Sequence, residues 1–86
     1  MNQWFYVYLE EGEQWPLECP DPCCYIKSRK SSLRQIAEDA ARDHYSRDGS
    51  KDRFAIVLYD KSKNLSGVFF IEKSYEVSFS ARERLR

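Results

Sequence analysis

The stretch SLRQIAEDAARDHYSRDG, residues 32–49, decides the architecture of this chain. Leu33, Ile36, Ala37, Ala40, Ala41, His44 and Tyr45 recur at the i, i+3, i+4, i+7 spacing of one helix face. Ser32 and Gln35 match a capping box, in which the hydroxyl accepts the N3 amide and the Gln side chain returns to the cap. On the wet side Arg34 with Glu38, Glu38 with Arg42, and Asp43 with Arg47 are i, i+4 pairs. Gly49 supplies a left-handed C-terminal cap, so the spacing predicts a helix that starts near Ser32 and ends around residues 46–48.

Outward from this helix the period changes to two. Residues 4–9 are all apolar or aromatic, which predicts a strand with Phe5, Val7 and Leu9 on one face and Trp4, Tyr6 and Tyr8 on the other. Residues 10–14, with Gly12, read as a turn. Residues 15–18 read as an uncertain return strand that Pro16 confines to an edge. Residues 19–24 carry two prolines and read as turn chemistry, after which Tyr25 and Ile26 resume a short strand. Beyond the helix, residues 53–59, 65–73 and 75–79 read as three strands in a meander. Phe54, Ile56 and Leu58 form one inward set and Tyr75, Val77 and Phe79 another. Residues 68–71 are apolar on both faces, which suggests a central strand.

The fold class expected from this order is α+β: a single two-layer domain over residues 1–86, with one helix packed on an antiparallel sheet of four to five strands, β-(β)-α-β-β-β. A chain of 86 residues supports one core, since this length buries only about 60–65% of its unfolded surface. A helix of about 15 residues spans roughly 22 Å and covers only one sheet face. The other face is therefore expected to be solvated or to bind something.

No apolar stretch approaches the roughly 18 residues of a membrane span, and the N-terminus lacks the basic and small-residue features of a signal peptide. A cytoplasmic location is the expectation. Cys19, Cys23 and Cys24 fall within six residues, too close together to staple distant elements, and are expected to be reduced. With His44 they form an imaginable Cys3His zinc set, but a structural zinc site draws its four ligands from two spaced knuckles, and packing thiols are the simpler reading. Glu18 and Asp21 beside Cys19 favour a neutral thiol over a nucleophile. Gly12, Gly49 and Gly67 are scattered, so no glycine-rich phosphate loop exists. The expectation is a non-enzymatic protein without a cofactor.

The net charge of zero hides an uneven distribution. Residues 1–26 carry −5, residues 27–34 carry +4, residues 35–52 carry −2 and residues 53–86 carry +3. The first segment combines its carboxylates with Trp and Tyr, the residue types enriched at binding hot spots. This marks Trp4, Tyr6, Tyr8, Glu10, Glu11, Glu13 and Trp15 as a candidate surface for a protein partner, one with a basic surface. The competing candidate is nucleic-acid binding by Lys27, Arg29, Lys30 and Arg34 at the start of the helix, where cations oppose the helix dipole. Arg82, Arg84 and Arg86 could add phosphate contacts, although the two-helix order of an RNA-recognition motif is missing. An exposed strand edge could equally pair two copies across a two-fold axis.

The stretch AEDAARDHYSRDG, residues 37–49, followed by FIEKSYEVSF, residues 70–79, resembles small uncharacterised proteins from phages, prophages and other mobile elements. In size and α+β layout the chain is also similar to phage-encoded inhibitors of bacterial defence systems, anti-CRISPR proteins among them. That resemblance implies an inhibitor that docks a protein partner. It transfers no functional residues, because such inhibitors share no sequence signature.

Overall fold

The computed structural model describes residues 2–20, 24–73 and 79–83. Its elements are β1 (Asn2–Glu10), β2 (Cys24–Ser28), α1 (Leu33–Asp48), β3 (Arg53–Tyr59), β4 (Leu65–Lys73) and β5 (Phe79–Glu83). The strands form one sheet in the order β2-β1-β3-β4-β5 with every neighbouring pair antiparallel. Because β1 is antiparallel to both β2 and β3, those two strands run the same way on either side of it. Helix α1 makes the crossover that such a parallel relation requires. This is the expected α+β architecture: one helix on a five-stranded antiparallel sheet.

The helix buries Ile36, Ala37, Ala40 and Ala41 against the sheet. Three alanines among these four let its backbone lie close to the strands, and Tyr6, Phe54, Ile56, Leu58, Phe69, Ile71, Phe79 and Ala81 complete that core. Gly67 belongs to the same face. A Cβ there would lie 2.8 Å from Cε1 of the buried Phe69 ring, so this position leaves room for the ring two residues on.

At its N-terminus, Ser32 is extended and its carbonyl accepts the Ile36 N–H at 3.0 Å, but its hydroxyl makes no cap bond. The expected capping box is therefore not formed; the first turn is largely exposed, and water can serve its free amides. Gly49 closes the other end with φ 75°, its N–H bonded to the Tyr45 carbonyl. Arg34 with Glu38 and Arg47 with Asp43 pair as expected, at 3.9 and 3.4 Å. Arg42 instead reaches Asp39 at 3.2 Å. Glu38 is drawn to the sheet, where it accepts the Ala81 N–H at 3.0 Å. That bond occupies a backbone donor of an edge strand, one way of blunting an edge against further pairing.

Two sequence expectations are corrected, and a third lies largely outside the described residues. Residues 15–18 form no strand beyond an isolated bridge between Glu18 and Asn64, and the strand that pairs with β1 is Cys24–Ser28. The middle of the sheet is β3, not β4; every residue of β3 from Phe54 to Tyr59 is buried, those of both faces alike. The expected strand over residues 75–79 lies outside the described residues except at Phe79, where β5 begins and continues to Glu83.

The far face of β3 shows what covers the side that the helix leaves. Val57 and Tyr59 point away from α1 and are nevertheless fully buried. The long connection after β1 crosses that face. The Tyr59 hydroxyl donates to the Pro16 carbonyl at 2.6 Å, and the Cys19 N–H reaches the Lys63 carbonyl at 3.2 Å. Gly12, at φ 91°, gives the chain its turn out of β1. The sheet is thus covered by a helix on one side and by an irregular strap, residues 11–20, on the other.

Candidate functional site

The strand register separates the seven aromatic and acidic residues of the N-terminal candidate surface into two groups. Trp4, Tyr6 and Tyr8 face the helix. Tyr6 is 1% exposed and donates its hydroxyl to Asp43 Oδ2 at 2.6 Å. Burial and the adjacent Asp43 carboxylate push the Tyr6 phenol well above its ordinary pKa. Tyr8 stacks on His44 with ring centroids 4.1 Å apart and planes 3° from parallel, and its hydroxyl accepts the Lys51 N–H at 3.2 Å. Trp4 packs against the same core. These three are packing residues, not an open aromatic stripe: period two placed them on one face correctly, but the helix chose that face.

Glu10, Glu11, Glu13 and Trp15 remain on the outside or at the strap. Glu10 is tied internally, its carboxylate 3.2 Å from Lys51 Nζ and its N–H donated to Glu13 Oε1 at 2.7 Å. The Glu13 N–H returns to the Glu10 carbonyl at 3.1 Å, closing the turn. Glu11 has no ionic partner among the described residues.

What the strap leaves uncovered is the outer surface of β4. Phe70 is 46% exposed and Leu17 is 74% exposed, and Leu65 at the start of β4 is also open. A shallow groove of about 470 Å³ runs between the strap and Phe70, lined by Gly12, Glu13, Gln14 and Trp15. A second, of about 550 Å³, shares Gly12 and Phe70 and continues over β5 to Arg82 and Glu83. A third joins Trp15 and Leu17 to Leu65 and Val68. Together these make one continuous apolar surface, centred on Phe70 and Trp15.

Its rim is acidic. Glu11 and Glu83 have no ionic partner among the described residues, while Arg53 and Glu72 neutralise each other at 3.9 Å. Arg82 is the one unpaired cation among the described residues that line the surface. Sequence reasoning missed Leu17, Leu65 and Phe70. The available signal was the two-sided apolar character of residues 68–71, which requires a cover, or an occupant, on each face.

The basic candidate is also divided. Lys30 is held by Asp39 at 3.1 Å and Arg34 by Glu38, whereas Lys27 and Arg29 have no ionic partner among the described residues. Lys27 does not join the helix start; it projects from the sheet face opposite α1, two residues from Tyr25. Arg84 and Arg86 lie outside the described residues.

The cysteines part in the same way. Cys24 enters the helix-covered core, while Cys19 sits on the strap at the β3–β4 turn, and Cys23 lies outside the described residues. Cys24 is a free thiol, and no group of three or more His, Cys, Asp or Glu side chains among the described residues could hold a metal ion. His44 is packed by Tyr8, and its Nε2 lies 4.0 Å from Asp48. No helix among the described residues is long and apolar enough to cross a membrane. Comparison with family models, curated proteins and solved structures returns no match, so the site rests on its own geometry.

Proposed function

We propose that the protein is a non-enzymatic interaction module that docks a protein partner with a basic surface. The observation that carries this reading is the coincidence of three exposed apolar side chains, Leu17, Leu65 and Phe70, with Trp15 on one face under an acidic rim. Isolated exposed leucines need no explanation, but a contiguous apolar surface beside an aromatic anchor is what binding interfaces use. Glu11 and Glu83 add attraction for cationic groups around a patch that the partner would desolvate. An inhibitor of the phage-encoded kind is one protein that works this way, by occupying a surface that its target reserves for an anionic ligand.

The test is affinity capture from the native host with the wild-type chain and with a Phe70→Ala, Glu11→Lys, Glu83→Lys variant. A basic protein retained by the first and lost by the second, with the variant still cooperatively folded, is the expected result. Equal capture by both would sink the reading.

A further inference from the structure

A second surface lies at the opposite corner of the strap-covered side, where β1 and β2 meet the β3–β4 turn. The register sets Phe5 directly opposite Tyr25, and their rings meet edge to face at 6.4 Å. Tyr25 is 52% exposed although it stands on an edge strand with an aromatic neighbour. Lys63 Nζ lies 5.4 Å from the centre of the Phe5 ring. Lys27 is exposed on the same face as Tyr25, two residues along β2. The side chains Lys63, Phe5, Tyr25 and Lys27 therefore form one strip, two aromatic rings flanked by lysines.

Two observations set this strip apart from ordinary surface. Seven of the described lysines and arginines lie within ion-pair distance of a carboxylate. The cations of this corner, Lys27, Arg29, Lys61 and Lys63, do not among the described residues. Asp60 Oδ1 accepts the Ser62 and Asn64 amides, and the Glu18 backbone forms an isolated bridge with Asn64. Asp39 and Asp43, which share a groove with Tyr25 and Lys27, are within ion-pair distance of Lys30, Arg42 and Arg47. Lys63 also has φ 67°, a left-handed conformation that glycine or asparagine adopts more readily than lysine. Its N–H to the Asp60 carbonyl at 2.8 Å and its carbonyl to the Cys19 N–H hold it there.

We propose that this corner binds single-stranded nucleic acid. The exposed Tyr25 ring, backed by the half-buried Phe5, gives a base a stacking surface, and lysines without an ion-pair partner among the described residues on both sides of the two rings follow a phosphate backbone. An acidic peptide would use the lysines but offers no π-face for Tyr25. A duplex hides its base faces in its own stack. The residues are separate from Phe70 and its acidic rim, so this inference stands or falls apart from the partner-docking reading.

The experiment is fluorescence anisotropy with labelled oligo-dT and oligo-U of about 12 nucleotides, within the usual range of non-specific single-strand sites, across a salt series. Saturable binding at low salt is expected, weakened about tenfold by Tyr25→Ala. Lys27→Glu should weaken it further and reduce the steepness of the salt dependence. Lys63→Gly should weaken binding several-fold while leaving the melting temperature unchanged or higher, because glycine tolerates the positive φ. Phe70→Ala should leave oligonucleotide binding unaltered. The proposal is overturned by no saturable binding, by a duplex of the same length binding as tightly, by poly-glutamate displacing the oligonucleotide as well as unlabelled oligo-dT does, or by Tyr25→Ala binding like the wild type. A lower melting temperature with unchanged binding in Lys63→Gly would make that lysine a packing element and overturn it too.

Discussion

The two faces of the sheet are built from similar residues and end up doing different work. On the helix side, Tyr6, Phe54, Ile56, Leu58, Phe69 and Ile71 are closed over by a regular element whose small residues admit them. On the strap side, β3 supplies Ala55, Val57 and Tyr59, equally buried, but the cover is ten residues with little regular structure. A helix satisfies its own backbone and can lie flat over apolar groups. A strap must find external partners for its N–H and C=O groups and therefore touches the sheet only at points. The strap side is consequently the one that keeps apolar surface open, at Leu17, Leu65 and Phe70.

This contrast is sharpest between two adjacent residues of β4. Phe69→Ala removes a ring from the helix-covered core and should cost about 3–5 kcal/mol in urea unfolding, enough to bring a domain of this size near its stability limit. Phe70→Ala, one residue on and facing outward, should cost well under about 1 kcal/mol and act on partner capture instead. Comparable losses from both would mean that the strap side is a core of equal weight.

Gly67→Ala should cost about 1–3 kcal/mol, because its Cβ requires the buried Phe69 ring to move. The same denaturation series would detect it, and a neutral result would show that the helix side is looser than its burial suggests. Tyr6→Phe should cost about 1–2 kcal/mol through the lost bond to Asp43. It also has a signature in pH. The Tyr6 phenol is raised in the folded state, so the unfolded chain releases this proton first as pH rises through about 10. The stability contributed by Tyr6 is present in full below that pH and falls above it, by about 1.4 kcal/mol per pH unit. Tyr6→Phe should remove this contribution to alkaline destabilisation, and an unchanged alkaline limb would count against a buried, protonated Tyr6.

A smaller loss than at Tyr6 is expected at Tyr59→Phe, which loses the hydroxyl bond to Pro16 that pins the strap. A cost of about 1 kcal/mol is expected. Amide exchange should accelerate in residues 11–20 before it does in β3, since the strap opens locally while the sheet stays closed. Uniform acceleration across both would show that strap and sheet open as one unit.

The helix was legible residue by residue because its pattern is local: period 3.6, a glycine stop and i, i+4 charge pairs act within a few residues of each other. Strand periodicity was legible in the same way, and it put Trp4, Tyr6 and Tyr8 together against Phe5, Val7 and Leu9. It could not say which set the helix would cover, since both are aromatic or apolar and the choice depends on a crossover between β2 and β3. The strap was least legible. Its turn residues marked it as irregular, but the bond from Tyr59 to Pro16 spans 43 positions and leaves no local trace. The same holds for the Lys63 contact with Phe5 and for Glu38 at Ala81.

By itself, the sequence determined the fold class, the helix, the strands around residues 4–9, 53–59 and 65–73, and the alternation along them, because these follow from short-range periodicity and turn chemistry. Only the tertiary structure decided which face of β1 is core, that a strap covers the far side of β3, and that the apolar surface around Phe70 and the Tyr25–Lys63 corner lie apart on that side. Those outcomes depend on sheet order, and sheet order is set by contacts between residues far apart in the chain.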